Sequence, residues 1–266
     1  METLCDEFTD RDELTNYVAT IAPWAERCEP GPFVGGESVA STRLKAIEPT
    51  RYARTRNFLD GAVTRLSPYV RHGILSLDEI RNCALTKTED PHQAEKFIQE
   101  LAWRDYWQRV YHRYPERIWS DVESYKTGFR VEDYAVNLPD DIANGETGVG
   151  CIDQFIAELV TTGYLHNHAR MYVAAYVVHW RRISWQAGAR WFLHHLVDGD
   201  PASNNLSWQW VASTFSHKPY LFNLDNVRKY AGNEINTRSE DNSALDLSYE
   251  ALTKRLFPNL SRVRHR

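Results

Sequence analysis

Apolar side chains recur every three or four residues along most of this chain, in segments that begin or end at proline, glycine and capping residues. In the first segment, Leu14, Val18 and Ile21 follow Thr9, a candidate N-cap, and Pro23 ends the pattern. This spacing places the apolar side chains on one face of an α-helix. No G-x-G-x-x-G loop, phosphate-binding P-loop or internal repeat interrupts the pattern. The sequence therefore predicts an all-α fold without a Rossmann-type nucleotide site.

The same signals predict the limits of further helices. Ser67 is a candidate N-cap followed by Pro68 at the first helical position, and Ser76 to Glu79 matches a capping box. Residues 120–148 have mixed charge, a proline and several glycines, so we expect a long loop with short turns there. The other predicted helices run from Val39 to Ile47 before Pro49, from Asp90-Pro91 to near Pro115, from Ile152 to about Ser213 with breaks at Gly163, near Ser184 and at 198–201, and near 248–257.

These patterns divide the chain into three parts. Residues 1–34 form a helical N-terminal extension, and the breaker-rich stretch 28–36 connects it to the rest of the chain. Residues 35–225 form the predicted helical core. Residues 226–266 form a C-terminal polar segment with one short helix.

Composition excludes several classes of protein. The chain has 266 residues, of which 42% are hydrophobic and 25% are charged, as in ordinary globular proteins. Its apolar stretches are shorter than the roughly 18 residues that a membrane span requires, and its N-terminus is too acidic for a signal peptide. We therefore expect a cytoplasmic protein with no membrane partner. The net charge of −5 gives no overall attraction to nucleic acid, although a local basic surface is sufficient for binding.

No metal site is predicted. His179 and the adjacent His194 and His195 have no acid or cysteine partner at a spacing that is typical of metal ligands. The cysteines are far apart and lack C-x-x-C spacing, so we expect reduced thiols. They are Cys5, Cys28, Cys83 and Cys151.

Two segments combine polar and aromatic side chains in a way that neither a solvated surface nor an apolar core explains. Residues 198–210 (DGDPASNNLSWQW) place two aspartates before a proline at a predicted helix start, followed by two asparagines and two tryptophans. Upstream, Asn167, Arg170 and Met171 fall at positions i, i+3 and i+4 and therefore share one helix face. Both segments are candidates for a functional site.

These segments also carry a resemblance to a known family. DGDPASNNLSWQWVAST, together with VTRLSPYVRHGILS, FIQELAWRDYW and TGYLHNHARM, resembles the photolyase/cryptochrome family. The FAD-binding domain of that family carries the blocks TSRLSPYL, ELxWRxFY, TGxxHNRxRM and DGDxAxNNGGWQW in this order. The resemblance extends from about Gly35 to Asn223. It implies a compact helical domain whose central cavity holds FAD bent into a U. It leaves no room for the Rossmann-like antenna domain that usually precedes this one, so we expect a short form without it.

The resemblance also implies a set of residues that bind the cofactor. Backbone and hydroxyl groups of the first block would hold the diphosphate, where Val63 replaces a threonine that is common in the family. Arg170 would pair with Asp198 beneath the isoalloxazine ring, Asp200 would bond the flavin edge or the ribose, and Asn204 would face flavin N5. Such an amide favours the neutral or reduced flavin. The full set is Tyr52, Thr64, Arg65, Leu66, Ser67, Asn167, Arg170, Asp198, Asp200 and Asn204.

By the same resemblance, Trp208 and Trp185 match the two inner tryptophans of an electron-transfer chain that leads to the flavin. The position of the outer tryptophan falls at 130–134, where Tyr134 is the nearest redox-capable side chain. Trp191 and Trp180 are alternatives for the outer position.

The resemblance further implies a pocket for a flipped pyrimidine dimer. In the family, the acid at Glu100 bonds the dimer and the indole at Trp103 stacks on it. The set expected to act in catalysis is Glu100, Trp103, Asn167, Met171 and Trp210, and the expected DNA contacts are Trp103, Arg104 and His168. His166 keeps the family histidine, whereas His168 replaces an arginine. A histidine there either weakens the DNA contact or supplies a proton, as in the repair of (6-4) photoproducts.

The leading hypothesis for function is a blue-light-driven DNA repair enzyme, a carbon–carbon lyase that transfers an electron from reduced FAD to a pyrimidine dimer in damaged DNA. The alternative is a cryptochrome-like flavin photoreceptor without repair activity, and a third hypothesis is a flavin-free structural relative. We expect a monomer. The sequence leaves open the lesion type, cyclobutane dimer or (6-4) photoproduct, and whether a separate antenna or signalling partner exists.

Overall fold

The computed structural model describes residues 4–23 and 31–260, and the chain divides into two compact units, Met1–Val34 and Gly35–Arg266. In the first unit, helix α1 spans Arg11–Ile21. Its N-cap is Asp10, whose carboxylate accepts the Glu13 N–H, while Glu13 Oε2 accepts the Thr9 N–H. The prediction of Thr9 as the cap was wrong by one residue, because Asp10 satisfies the free donor of the first turn. Part of the connector predicted at 28–36 lies outside the described residues.

The second unit is helical throughout. Within residues 31–260 the structure contains no β-strand, only an isolated bridge between Ala135 and Ile183. The prediction of an all-α fold is confirmed. The helices are α2 (Glu37–Lys45), α3 (Pro49–Thr55), α4 (Ser67–Arg71), α5 (Leu77–Thr86), α6 (Glu95–Arg113), α7 (Asp140–Asn144), α8 (Gly150–Thr162), α9 (Asn167–Ala175), α10 (Trp185–His195), α11 (Pro201–Ala212), α12 (Leu224–Tyr230) and α13 (Tyr249–Leu256).

Local sequence signals account for most of these limits. Ser76 and Glu79 form the expected capping box of α5, and Gly163 ends α8 in the left-handed conformation that glycine adopts without strain. The prediction of Ser67 as the N-cap of α4 was wrong. Ser67 is the first residue of that helix, and its hydroxyl donates to Asp198 instead. A long-range partner therefore replaces the local cap.

The core lies where α8, α9, α10 and α11 pack together. A π-helical turn, Tyr176–Trp180, continues α9, and every side chain from Tyr172 to His179 is buried. Trp185 of α10 and Trp208 of α11 are also buried there. This core forms one wall of a large cavity. No helix within the described residues has both the length and the apolar composition that spanning a membrane would need.

Close packing between α10 and α11 depends on Gly188. A Cβ atom added there would overlap the six-membered ring of Trp208. We predict that Gly188→Ala lowers the free energy of unfolding, because overpacking usually costs about 1–3 kcal/mol. That cost outweighs the gain in helix propensity of about 1 kcal/mol. Denaturant unfolding checks the change.

The control for this substitution is Gly35→Ala, because a Cβ atom at Gly35 meets nothing within 4 Å. Equal stability of Gly188→Ala and the wild-type protein would contradict the proposed packing constraint.

Candidate functional site

A deep cavity opens between the helices of the second unit, with a volume of about 780 Å³. This value lies within the range of roughly 300–1,000 Å³ that is typical of small-molecule and cofactor sites. Residues of α3, α4, α6, α9, α11 and α12 line it, together with the connections 56–66 and 196–200. Residues far apart in sequence therefore meet around one space.

This cavity collects nearly all the side chains singled out from the sequence. Among the electron-transfer candidates, Trp185, Tyr134, Trp180 and Trp191 do not line it. The residues that do are Tyr52, Thr64, Arg65, Leu66, Ser67, Glu100, Trp103, Arg104, Asn167, His168, Arg170, Met171, Asp198, Asp200, Asn204, Trp208 and Trp210.

The buried ion pair between Arg170 and Asp198 lies at the wall of the cavity. Arg170 Nη2 donates to both carboxylate oxygens of Asp198, at 2.9 and 2.8 Å, and Arg170 Nε donates to the Leu165 carbonyl at 2.8 Å. The Ser67 hydroxyl donates to the same carboxylate at 2.6 Å. The Asp198 side chain is only 3% exposed, so these donors replace the water that the charge loses.

Segment 64–67 enters the cavity with a strained backbone. Arg65 has φ of 52°, a left-handed conformation that is uncommon for residues other than glycine. Its guanidinium lies 5.4 Å from the centre of the Tyr164 ring, and the guanidinium of Arg170 lies 5.4 Å from the centre of the same ring. Residues held in such conformations cluster at ligand sites, which makes this segment a candidate for contact with an anionic group.

Asp200 and Asn204 line the cavity at the start of α11. Asp200 is the N-cap of this helix and accepts the Ser203 N–H at 3.0 Å. Burial raises the pKa of Asp200, but the hydrogen bonds from Ser203 and Gln108 and the charge of Arg104 together outweigh burial and hold the pKa below its ordinary value. Asn204 Nδ2 donates to the Ala189 carbonyl at 3.0 Å and to Asn205 Oδ1 at 2.8 Å. The amide oxygen of Asn204 is the polar atom left to meet a ligand, as an acceptor.

The aromatic residues predicted to transfer electrons are all buried. Trp208 lines the cavity, is 2% exposed, and its indole N–H is buried without a hydrogen-bond partner among the described residues. Trp185 is fully buried and donates to Asp121 Oδ1 at 2.6 Å. Tyr134 is 4% exposed and stacks on Tyr125 at a ring distance of 4.3 Å. The role of all three in electron transfer stays a prediction.

Trp180 and Trp191, the alternatives for the outer tryptophan of the electron-transfer chain, are partly buried. The Trp180 indole N–H donates to the Ala244 carbonyl at 3.0 Å. The Trp191 indole N–H is buried without a hydrogen-bond partner in the described part of the chain.

Two exposed indoles and an acid lie at the mouth of the cavity. Trp103 is 46% exposed and Trp210 is 41% exposed, which is unusual for so large an apolar side chain. Glu100 forms ion pairs with Lys96 at 2.9 Å and with Arg56 at 3.3 Å. The mouth therefore combines flat apolar surfaces with charged hydrogen-bonding groups.

The two histidines of the HNH sequence have different environments. His168 Nδ1–H donates to the Asn57 carbonyl at 2.7 Å, and its ring lies 4.7 Å from Tyr172 and 4.9 Å from Tyr230. Burial lowers the pKa of His168. Burial also lowers the pKa of His166, to about 4, and its Nδ1 accepts the His168 N–H. Both imidazoles are therefore neutral at pH 7, so neither supplies a cation to the site.

Sequence patterns missed part of the cavity wall. Tyr220, Asn226 and Tyr230 line the cavity, although the sequence predicts a polar tail from residue 226 onward. The apolar spacing of Leu224 and Val227, both buried, was the available signal for α12. Other lining residues outside the predicted set are Lys96, Phe97, Trp107, Tyr164 and Phe192.

Fold and site together define a helical cofactor-binding domain. A flat aromatic cofactor with a diphosphate suits a cavity of this size whose wall contains a buried ion pair and helix N-termini. Comparison with known proteins agrees. Residues 97–235 match the family model described as the FAD binding domain of DNA photolyase. The chain belongs to the photolyase/cryptochrome family, and its cofactor is FAD.

Individual relatives support this assignment. The chain is 33% identical over 198 residues to a deoxyribodipyrimidine photo-lyase of Alkalihalophilus pseudofirmus, which covers 72% of this chain and 40% of the relative. It is 27% identical over 256 residues to a putative mitochondrial cryptochrome DASH of Neurospora crassa, covering 78% of this chain and 34% of the relative. The chain thus spans about 40% of the length of the photo-lyase.

A solved structure shares the fold. A bacterial class III photolyase from Agrobacterium tumefaciens superposes with a TM-score of 0.69 at 20% sequence identity, covering 88% of this chain and 57% of the other. This confirms the expectation of a photolyase-type helical fold.

Removal of the Arg170 guanidinium tests the buried ion pair. We predict that Arg170→Met lowers the free energy of unfolding by about 3–5 kcal/mol, because it leaves the Asp198 charge buried without its partner. The measurement is denaturant unfolding, with FAD retention recorded from the absorption spectrum.

The matched control is Arg109→Met, which breaks an exposed pair with Asp105 and should change the free energy of unfolding little, because water screens this pair. If both variants lose the same free energy of unfolding, the Arg170–Asp198 pair contributes no more to stability than an exposed ion pair.

Proposed function

We propose that this protein is a light-driven DNA repair enzyme that splits pyrimidine dimers, with reduced FAD as the electron donor. The observation that carries the proposal is the single cavity that holds both predicted sets of residues. The residues expected to bind FAD and the residues expected to contact a dimer line the same cavity. Electron transfer to a lesion requires that donor and acceptor lie close together.

The residues that would hold FAD are those around the Arg170–Asp198 pair. The segment at the start of α4 would hold the diphosphate, and Arg170, paired with Asp198, would supply a positive charge to the cofactor. The amide oxygen of Asn204 would accept a hydrogen bond from an N–H group of the reduced ring. When bound, reduced and excited by blue light, FAD supplies one electron to the dimer and recovers it after the ring has split.

The residues at the mouth would bind the lesion. A dimer leaves the base stack most easily when flat side chains replace its stacking partners, and the exposed faces of Trp103 and Trp210 are suited to this. Glu100 is an acceptor for the N–H edge of a pyrimidine. Because Arg56 and Lys96 also contact Glu100, lesion binding would exchange part of this ion-pair network for bonds to a base.

The alternative function is that of a cryptochrome-like photoreceptor without repair activity. The observation that favours it is His168, which is neutral and packed among tyrosines at a position where the family often has an arginine. Loss of a cation at the mouth weakens attraction to DNA phosphates. A relative named as a putative cryptochrome DASH is consistent with this alternative.

The decisive experiment uses protein that carries FAD, chemically reduced and illuminated in the presence of an oligonucleotide with one cyclobutane dimer. We expect light-dependent loss of the dimer and tighter binding to damaged than to intact DNA. If a known photolyase repairs the same substrate while this protein leaves it unchanged, the repair proposal is wrong. Equal affinity for damaged and intact DNA, with light-driven flavin reduction, would favour the photoreceptor.

Trp103→Ala provides a sharper test of the mouth. Base–aromatic stacking contributes about 1–3 kcal/mol, so we expect lesion affinity to fall about 5- to 150-fold. Gel-shift titration with damaged DNA measures it. Trp119→Ala is the matched control, because Trp119 is 38% exposed and lies outside the cavity lining. An unchanged affinity in Trp103→Ala would exclude Trp103 as the stacking surface.

A further inference from the structure

Gln108 lies one residue beyond the block of α6 that resembles the family, and the sequence predicts no role for it. Its Nε2 atom contacts both carboxylate oxygens of Asp200, at 2.7 and 2.8 Å. These contacts join residues 92 positions apart in the chain. They link the helix that carries Glu100 and Trp103 to the N-cap of α11.

The Asp200 carboxylate has few other donors. It is 8% exposed, so water supplies little of its solvation, and its other hydrogen bonds come from the backbone N–H and the hydroxyl of Ser203. Both Ser203 donors belong to the first turn of α11 itself. Gln108 is thus the hydrogen-bonded contact that ties Asp200 to another helix.

A second, smaller pocket meets the main cavity at this contact. It has a volume of about 330 Å³, and both Gln108 and Asp200 line it. Asp200 also lines the main cavity, so this residue borders both spaces. A change in the orientation of this carboxylate therefore changes the shape and charge of the FAD cavity.

We propose that Gln108 is a positioning residue for FAD binding, which orients the Asp200 carboxylate toward the cofactor cavity from α6. Gln108 lines the smaller pocket and not the FAD cavity, so it acts through Asp200. The proposal depends on FAD binding and is independent of repair activity.

Two substitutions of equal size separate positioning from simple packing. Gln108→Leu removes the donor, and we expect the Kd for FAD to rise about tenfold, the effect of losing one hydrogen bond to a charged group. Gln108→Glu replaces the donor with a second carboxylate next to Asp200. At pH 8 the two negative charges repel, and the rise in Kd should be at least as large.

The pH dependence of Gln108→Glu is the distinctive readout. Two adjacent carboxylates raise the pKa of one of them, so as the pH falls toward 5.5 one group takes up a proton and donates to the other. We expect the FAD affinity of this variant to recover at pH 5.5. In the wild-type protein the hydrogen bonds from Ser203 and Gln108 and the charge of Arg104 together lower the pKa of Asp200, so the FAD affinity should change little over this range.

Other charged groups near Asp200 are the same in every variant. Arg104 and Asp105 come from α6, Arg71 from α4, and Asp198 from the preceding loop. Their contribution therefore cancels when the variants are compared at one pH.

The experiment is an FAD titration of the apo full-length chain, followed by flavin fluorescence, at pH 8 and pH 5.5, with thermal unfolding of each apo protein. Gln93→Leu and Gln93→Glu are matched controls, because Gln93 is exposed in the turn before α6. Wild-type affinity in Gln108→Leu, or an affinity of Gln108→Glu that falls between pH 8 and 5.5, would overturn the proposal. If Gln108→Leu does not fold, the change in the FAD affinity of Gln108→Glu between pH 8 and pH 5.5 tests the proposal by itself.

Discussion

The Asp198 carboxylate is almost entirely removed from water, and residues of two helices that are distant in sequence donate hydrogen bonds to it. Ser67 reaches it from α4 and Arg170 from α9. An isolated charge in the interior costs several kcal/mol, so loss of either donor destabilises the folded state. This requirement fixes α4, α9 and the loop before α11 around one point. The cavity exists because these three elements are held together while the space beside them is left open.

Much of the fold could be predicted because its helix limits are encoded locally. The capping box at Ser76 and the left-handed Gly163 depend on neighbours within a few residues, and the sequence shows both. The failures have a common cause in contacts between distant residues. Ser67 does not cap α4 because Asp198 accepts its hydroxyl, and no local pattern reports a partner that lies 131 residues away.

The same distinction applies to the site. The residues predicted to bind the cofactor and the lesion could be named because they lie in compact sequence blocks that resemble a family. Tyr230 was missed because its place in the cavity depends on tertiary pairing. Its carbonyl accepts the Leu59 N–H at 2.8 Å, and its ring packs against Phe58 and His168. No periodicity within the segment 220–230 predicts those neighbours.

Polar contacts help to hold helix α6 in place, because few of its side chains are buried. Phe97 is the one buried residue of this 19-residue helix. Apolar burial usually dominates the docking of a helix, and here little of it is available. Polar contacts also hold α6 in place. Glu100 forms an ion pair with Arg56 near one end of the helix, and Gln108 donates a hydrogen bond to Asp200 near the other end. Because Glu100 also lines the cavity, a ligand that bonds to its carboxylate competes with the Arg56 contact that holds α6. Binding and the position of this helix are therefore energetically linked.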